Sequence, residues 1–534
     1  MISLRDRILP PYTRRVDDLR HRVSKSVAIF ALVLTAMFMG FWLAVFGTLV
    51  VQPFFIMVGV LFLFALWLVD DTEPNLRPAI TKMLMIYAAL EIIWPSYLAV
   101  NIPGLPWITP PRLILLLMMC LATLQFAQSS KARGEVIESL GYAKLAMWML
   151  AIFWIPAFAT ALVSPRPGNS FTMVLEWFLL WNMPFLVAIW IFGDRETFAK
   201  FMRITLWSLC IVFVLTILEY LQRKPIWFGY IPSFLKVDGP LYNAIMQEQV
   251  RVGDNRYRAR GVFAVHLYYA QFILMVTPFI LHKAIENRGW MRFWAYALLA
   301  FNLLVIWMTN TRTGMTGFIL VASGMVALYA LRRFLNPSNK ADMVAPAIFM
   351  TVPVAIMALA VLIMASPRLQ TITVGGAQTR SSDAGRDNQW RKGWAAMEKN
   401  PFGHGGGISP RLAGRMAGDR YIIDSLWLNF MLDFGVFSFF GFMAFLITTA
   451  YYGVRMYVTT QDETVKLMGP AAVAVGGMAL TTYTISFVGN LPFMMMLVGA
   501  IYAFRRSVML EEKAKGIVPK TALPLRSPML GRAA

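Results

Sequence analysis

The chain has 534 residues, of which 58% are hydrophobic and only 14% are charged. This composition excludes a soluble globular protein, because apolar runs of about 18 to 25 residues recur and each is long enough to cross a bilayer. The net charge of +21 has no basic soluble domain to carry it, so membrane topology and an anionic ligand explain it better than a nucleic-acid partner. Cys120 and Cys210 lie inside apolar runs, which excludes a disulfide framework or a cysteine-based metal site.

The chain divides into a long hydrophobic part between two basic tails. Residues 1–26 are basic and are followed by no small-residue cleavage site, so we interpret them as a cytoplasmic tail before a retained helix. Residues 27–505 predict one bundle of transmembrane helices, because only helices satisfy their own backbone hydrogen bonds in lipid. Residues 506–534 predict a second cytoplasmic tail.

The predicted fold is an all-α polytopic membrane protein with about fourteen transmembrane helices, one for each apolar run. The runs are 27–48, 53–70, 79–99, 112–128, 144–163, 171–192, 204–221, 262–282, 293–309, 314–331, 343–365, 425–452, 467–488 and 490–505. Lys and Arg are concentrated in alternate short connections, which places both termini in the cytoplasm. The periplasmic side then receives two large loops, at 222–261 and 366–424.

Positive charge also falls on the periplasmic side, where the topology rule disfavours it. Both large loops contain several arginines, and Arg312 lies at the mouth of two apolar helices. A solvated basic surface is the alternative for the loops, because long loops translocate largely regardless of charge. For Arg312 the alternative is a side chain that snorkels to the interface. Several guanidinium groups at an outer membrane surface would suit a diphosphate, whose oxygens accept paired hydrogen bonds from that planar group.

Four motifs occur in order in the second half of the chain. They are RARGVFAVH at 258–266, TRTGMTGFIL at 311–320, AGRDNQWRKGWAAMEKNPFGHGGG at 384–407 and IIDSLWLNFMLDFGVFSFFGFMAFL at 422–446. This set resembles the O-antigen ligase and Wzy-type polysaccharide polymerase superfamily. In that family R-x-x-G-x-F, a turn of Ser or Thr followed by Arg-Thr-Gly, G-R-x-x-x-W and P-x-x-G-x-G precede a polar residue and an apolar helix that contains a Gly beside an acidic residue.

The resemblance implies a GT-C-like bundle and a membrane glycosyltransferase whose donor is a glycan on polyprenyl diphosphate. Arg258, Arg312 and Arg386 match the arginines of the motifs and are implied to contact the diphosphate. Arg260, in the same basic stretch, is a further candidate. Breaking the sugar–phosphate bond leaves negative charge on the diphosphate, which fixed cations stabilise in the transition state.

Two positions depart from the family pattern. His266 and Leu267 replace the Pro-Asn that often follows the first motif, and Asp424 and Ser425 replace the His-Asn typical of the ligases. The second change favours a polymerase that moves the growing glycan onto the next lipid-linked repeat unit of an O-antigen or exopolysaccharide. The alternatives are a ligase that delivers the glycan to a lipid core or a protein and, from a different class, a lipid-linked oligosaccharide flippase or transporter.

Transfer to a sugar hydroxyl needs a group that removes the hydroxyl proton. Asp424 is the first candidate, with a helix N-cap as its alternative role, and His404 is the second, with a turn histidine as its alternative. No cluster with the spacing of metal ligands is visible, and arginines suffice for the diphosphate, so we predict metal-independent, inverting transfer without a cofactor. The DFG at 433–435 has none of the other kinase elements and is given no role.

Aromatic residues and partners complete the expectations. Trp390 and Trp394 at helical spacing predict a short amphipathic helix on the interface, and a platform for sugar rings is the alternative. The implied partners are an undecaprenyl-diphosphate-linked donor and acceptor, the lipid bilayer, and, as a possible addition, a chain-length regulator or export machinery. The expected location is the bacterial inner membrane, with the active site on its periplasmic face.

Overall fold

A computed structural model describes most of the hydrophobic part of the chain. It covers residues 73–101, 107–236, 250–251, 254–336, 343–366, 377–417 and 420–515, with Phe30, Val33, Met37 and Met246 as isolated positions. The predicted helices at 27–48 and 53–70, apart from the three isolated positions in the first of them, lie outside the described residues. So do the predicted tail at 1–26 and the part of the second tail after residue 515.

Within these ranges the protein is built almost wholly of helices. The α-helices are α1 (Arg77–Ile93), α2 (Pro110–Gln128), α3 (Ser130–Tyr142), α4 (Lys144–Leu162), α5 (Pro167–Ile191), α6 (Arg195–Gln222), α7 (His266–Glu286), α8 (Gly289–Thr309), α9 (Arg312–Leu335), α10 (Val344–Ala365), α11 (Ala377–Lys399), α12 (Ser409–Ala413), α13 (Leu426–Phe434), α14 (Val436–Thr459), α15 (Met468–Thr481) and α16 (Leu491–Ala514). Two antiparallel hairpins pair β1 (Val250–Arg251) with β2 (Asp254–Tyr257) and β3 (Arg415–Ala417) with β4 (Arg420–Ile422). The predicted all-α class is therefore confirmed for the described chain.

Eight of the described helices are long and apolar enough to cross a membrane, namely α2, α4, α5, α6, α8, α9, α14 and α16. Four further predicted runs also form helices, α1, α7, α10 and α15. In helix α7 most of the residues from His266 to Ala284 are buried. The full number of fourteen spans, the GT-C-like arrangement and the side of each loop stay predictions.

Some apolar runs are not one continuous helix over their whole length; the run 79–99, for example, ends as a helix at Ile93. The run 425–452 is split into α13 and α14 at Gly435, whose φ is +90° and whose Cβ, if present, would lie 2.5 Å from the carbonyl oxygen of Phe402. Only glycine fits this combination, so the helix must break there. The run 467–488 ends as a helix at Thr481, and in the segment after it the hydroxyl of Thr484 lies 3.2 Å from that of Thr313 in α9.

The two ends of the bundle differ in their polar contacts. At the end where α5 meets α6, Arg195 forms ion pairs with Asp462, at 2.6 Å, and with Glu511. Arg506 and Glu138 pair at the same end at 2.7 Å. The motif arginines lie at the opposite end, where α6 and α8 finish and α7 and α9 begin. The sequence motifs are thus gathered at one end of the bundle.

Candidate functional site

Arg312 is placed by a tight turn between α8 and α9. Asn310 ends α8 in the left-handed conformation with φ +48°, and the hydroxyl of Thr311 accepts the N–H of Gly314 at 3.2 Å to cap α9. Arg312 is therefore the first residue of α9, with its backbone fixed on both sides. The guanidinium donates to both carboxylate oxygens of Asp383, at 3.2 and 3.1 Å.

Asp383 joins two of the predicted diphosphate contacts. Besides Arg312, its Oδ1 accepts a hydrogen bond from Nη1 of Arg386 at 3.2 Å, one turn further along α11. The Arg312 and Arg386 side chains are 19% and 28% exposed, whereas that of Asp383 is 48% exposed. The site thus presents two partly buried cations with one exposed carboxylate between them. We call Arg312, Asp383 and Arg386 the arginine cluster.

Arg258 lies at the same end of the bundle. Its Nη1 is 3.2 Å from Nε2 of His266, the first residue of α7, and the neighbouring Ala259 N–H donates to the Met308 carbonyl oxygen near the end of α8 at 3.0 Å. Since an arginine can only donate, Nε2 of His266 is the acceptor. Met308 is four residues before Arg312 along the chain, so the first and second motifs meet at the α8–α9 turn.

Arg260 lies in the interior rather than beside the arginine cluster. It is 1% exposed, its Nε is 3.8 Å from Glu219 and its Cζ is 6.0 Å from the ring centre of Tyr97. Glu219 also accepts the hydroxyl of Tyr257 at 2.7 Å and the N–H of Gly261 at 2.6 Å. The sequence shows Glu219 only as a single charge in an apolar run, yet it anchors the loop that carries Arg258 and Arg260.

Asp424 is held by two side chains from different elements. Its Oδ2 accepts Nε2 of Gln389 at 3.0 Å and Nε of Arg415 at 3.2 Å, and its backbone N–H donates to Oε1 of Gln389 at 3.0 Å. The cap of α13 is Ser425, whose hydroxyl accepts the N–H of Leu428 at 3.4 Å. The alternative role of Asp424 as an N-cap is therefore wrong.

One face of α11 connects the arginine cluster to Asp424. Asp383, Arg386 and Gln389 follow one another at intervals of three residues, so their side chains project from neighbouring positions of one helix face. At 1.5 Å of rise per residue, Asp383 and Gln389 are about 9 Å apart along the helix axis. The cations and the candidate base are thus within about two helical turns of each other.

His404 lies at the other end of α13. Its backbone N–H and its ring Nδ1 both contact the Leu432 carbonyl oxygen, at 2.9 and 3.0 Å. Because a carbonyl only accepts, Nδ1 carries the proton and Nε2 is left as the basic nitrogen. Asp424 precedes α13 whereas Leu432 is near its end, about 9 Å along the helix axis from Leu426, so the two candidate bases lie at opposite ends of α13. Only Asp424 is tied to the face of α11 that carries the arginine cluster.

The glycine-rich turn at 403–407 is fixed by Asp433, the acid of the DFG sequence. Its buried carboxylate accepts the N–H groups of Gly407, Ile408 and Ser409 at 2.8, 3.1 and 2.7 Å. Three charge-assisted bonds of this kind hold the turn against α13. Sequence reasoning gave this residue no role, although an acid inside an apolar run is a recognisable signal.

The two predicted sugar-binding tryptophans differ in their surroundings. The ring of Trp390 stacks on Tyr483 with centroids 5.4 Å apart and an angle of 22° between the planes. Trp394 is 52% exposed, one turn further along α11. Met397, seven residues after Trp390 and so on the same helix face, is buried, and a Cβ at Gly393 would lie 2.5 Å from Leu428. The helix predicted around these residues exists, but it packs on α13 and is longer than expected.

Comparison with known proteins relates the central part of the chain to one family. No curated protein matches the chain. Residues 296–443, from α8 to α14, match the Wzy_C family model, described as O-Antigen ligase. This stretch includes the arginine cluster, Asp424 and the glycine-rich turn. Over residues 296–443 the chain is similar to the O-antigen ligase family, which confirms the resemblance to the O-antigen ligase and Wzy-type superfamily predicted from the sequence.

Proposed function

We propose that the protein is an inner-membrane glycosyltransferase that moves a glycan from a polyprenyl diphosphate carrier to a sugar hydroxyl. The family match supports a glycan-transferring activity in a membrane. The observation that carries the proposal is the pairing of Arg312 and Arg386 on one exposed carboxylate. Two cations from distant parts of the chain are thereby brought together near a polar end of an apolar bundle.

The donor diphosphate binds at the arginine cluster. It carries more negative charge than the single carboxylate of Asp383, and each guanidinium can bind its oxygens in a paired, planar geometry. Asp383 is half exposed and can turn away, whereas the two arginines are more deeply seated. Arg258 contributes from the first motif at the same end of the bundle.

The reaction is a single displacement at the anomeric carbon of the donor sugar. The acceptor hydroxyl attacks from the face opposite the diphosphate, and its proton passes to Asp424. As the new carbon–oxygen bond forms, the bond to phosphate oxygen breaks and its electron pair remains on the diphosphate, where the arginines stabilise it. The configuration of the sugar is inverted, and the proposal requires neither a metal nor a cofactor.

The aromatic side chains suit the glycan. Trp394 offers an exposed face beside the stacked pair of Trp390 and Tyr483, and sugar rings pack well on such flat apolar surfaces. All three lie on or against α11, as do Arg386 and Gln389. The glycan can therefore extend from the diphosphate along this helix, in the periplasm, while both termini remain in the cytoplasm.

Polymerisation of lipid-linked repeat units is the first form of this activity. It is favoured by Asp424 and Ser425, which stand where the ligases have His-Asn. Undecaprenyl-diphosphate-linked units would serve as both donor and acceptor, and a chain-length regulator or export machinery would act with the enzyme. Ligation to a lipid core or a protein is the second form, because the matched family is described as O-Antigen ligase.

The test uses purified protein in liposomes with lipid-linked oligosaccharide extracted from cells that lack this protein. Growth of the lipid-linked glycan without any other acceptor supports polymerisation, whereas transfer only after a lipid core or protein is added supports ligation. Movement of the unchanged oligosaccharide between leaflets would support a flippase. Arg312→Ala should lower transfer by at least about 100-fold, while Arg411→Ala, which changes an exposed arginine of α12, should leave it unaltered.

A further inference from the structure

Gln389 makes a two-point contact with Asp424. It is 2% exposed, its Oε1 accepts the backbone N–H of Asp424, and its Nε2 donates to the carboxylate, each at 3.0 Å. A backbone N–H can only donate and a carboxylate can only accept, so the amide orientation follows from its partners. The contact fixes both the position of Asp424 and the direction of its side chain.

The two donors on the Asp424 carboxylate reach the same oxygen. Nε2 of Gln389 and Nε of Arg415 both bind Oδ2. Among the residues that the structure describes, no side chain or backbone group donates to Oδ1, and the Asp424 side chain is 20% exposed. One oxygen is therefore engaged and the other is open to an incoming group.

We propose that Gln389 is a positioning residue of the transferase, which holds Oδ2 so that Oδ1 takes the proton of the acceptor hydroxyl. This inference rests on the proposed function and on Asp424 as its base. A hydroxyl at Oδ1 meets the carboxylate from the side that neither Gln389 nor Arg415 occupies. The acceptor is thereby directed to one edge of the carboxylate.

A purely structural role would need only half of this contact. The bond from the Asp424 N–H to Oε1 already ties the loop after β4 to α11. The second bond, from Nε2, ends on Oδ2, the oxygen that Arg415 also binds, and so fixes the direction of the carboxylate. Among the described residues, the charged group that contacts the carboxylate is Arg415 of β3, and Arg386 lies one helical turn before Gln389.

Gln389→Glu separates the two roles. Glutamate keeps the length of the side chain and the oxygen that accepts the Asp424 N–H, but it replaces the donor with a second carboxylate. Two adjacent carboxylates titrate in two steps. Above the higher step both are ionised and repel each other, and below it one proton lies between them and restores a hydrogen bond. We therefore expect the turnover number at pH 8 to fall roughly tenfold to hundredfold, the effect of losing a hydrogen bond to a charged group. It should recover toward the wild-type value as the pH is lowered.

The KM for the donor should stay unchanged in Gln389→Glu, because the arginine cluster is intact. Asn388→Ala is the matched control, since it removes only the partner of the exposed Arg391 from the adjacent position of α11. Its rate should equal that of the wild type at every pH. Should Gln389→Glu fail to accumulate, Arg415→Ala removes the other donor to Oδ2 from a half-exposed position and should lower turnover severalfold.

The outcomes distinguish this inference from the function on which it rests. Full turnover by Gln389→Glu and Arg415→Ala, or a loss in Gln389→Glu that is equal at all pH values, overturns the role of Gln389 even if Asp424→Asn is inactive. Full activity of Asp424→Asn overturns the base itself. The readout is the rate of elongation of the extracted lipid-linked oligosaccharide from pH 5.5 to 8.5.

Discussion

Nη2 of Arg312 lies 3.1 Å from Oδ1 of Asp383, an atom that also accepts a hydrogen bond from Arg386 at 3.2 Å. Arg312 begins α9 and Arg386 lies within α11, with the whole of α10 between them in the chain. In the proposed site, the carboxylate occupies the position of the donor diphosphate between the two guanidinium groups. This relationship is the basis of the donor site proposed above.

The paired geometry at Arg312 predicts that lysine cannot replace it. Arg312→Lys keeps the charge but loses the planar fork that binds two oxygens at once. We expect transfer to fall by about 100-fold, equivalent to about 3 kcal/mol, because a charge-assisted hydrogen bond contributes about 1.5 to 3 kcal/mol. The rate of glycan transfer by purified protein checks this. A rate within twofold of the wild type would mean that only charge is needed at this position.

The exposed position of Asp383 between the two arginines predicts that its carboxylate competes with the diphosphate for them. Asp383→Asn keeps the size of the side chain but removes the charge that holds the arginines. We expect farnesyl diphosphate, used as a soluble probe, to inhibit the variant at a concentration roughly threefold to tenfold lower than for the wild type. Inhibition assays at constant ionic strength measure this. Weaker inhibition would show that Asp383 orients the arginines and does not compete with the ligand.

Substitutions of Asp424 and Ser425 are predicted to affect different properties, transfer for Asp424 and stability for Ser425. Ser425→Ala removes the cap of α13 and should lower stability by about 1 kcal/mol while most of the turnover is kept. Asp424→Asn keeps the contact between its backbone and Gln389 and should unfold near the wild-type temperature, but it should lose transfer by at least about 100-fold. Thermal unfolding and turnover are compared on the same samples. If Asp424→Asn instead lowered the unfolding temperature and kept its turnover, the role of Asp424 would be structural.

The three bonds accepted by Asp433 predict a loss of stability. Asp433→Ala leaves the N–H groups of Gly407, Ile408 and Ser409 without their acceptor in a buried place, which costs about 1 to 3 kcal/mol for each group that finds no other partner. The midpoint of thermal unfolding should fall clearly and the yield of folded protein should decrease. Asp387→Ala, at an exposed position of α11, is the control and should unfold like the wild type.

Much of the fold could be predicted from hydrophobicity alone. The run 144–163 corresponds to α4 at Lys144–Leu162, and the run 293–309 lies within α8 at Gly289–Thr309. Apolar length is a reliable signal because the bilayer sets the length of a span. Hydrophobicity does not show the break at Gly435, because apolar residues continue on both sides of it. The glycine itself indicates the break, together with Asp433 two residues before it, whose buried carboxylate needs backbone N–H donors.

The site could be predicted only in part. Motif order gives Arg312 and Arg386, but no local pattern tells that Asp383 joins them, since Arg312 is 71 residues away. The contact of Gln389 with Asp424 spans 35 residues and is equally hidden. Arg258 and Arg260 are two residues apart and look alike in the sequence. They differ because Arg260 is buried against Glu219, which lies 41 residues before it in the chain.

The central claim is that Arg312 and Arg386 grip one diphosphate together, and a double-mutant cycle tests it most directly. Glycan transfer is measured for Arg312→Ala, Arg386→Ala and the double variant, with Arg411→Ala as the control. Residues that act on one ligand are not additive, so the double variant should be little slower than the slower single variant. Two single variants that transfer glycan at the wild-type rate, while the protein remains folded, would contradict the account.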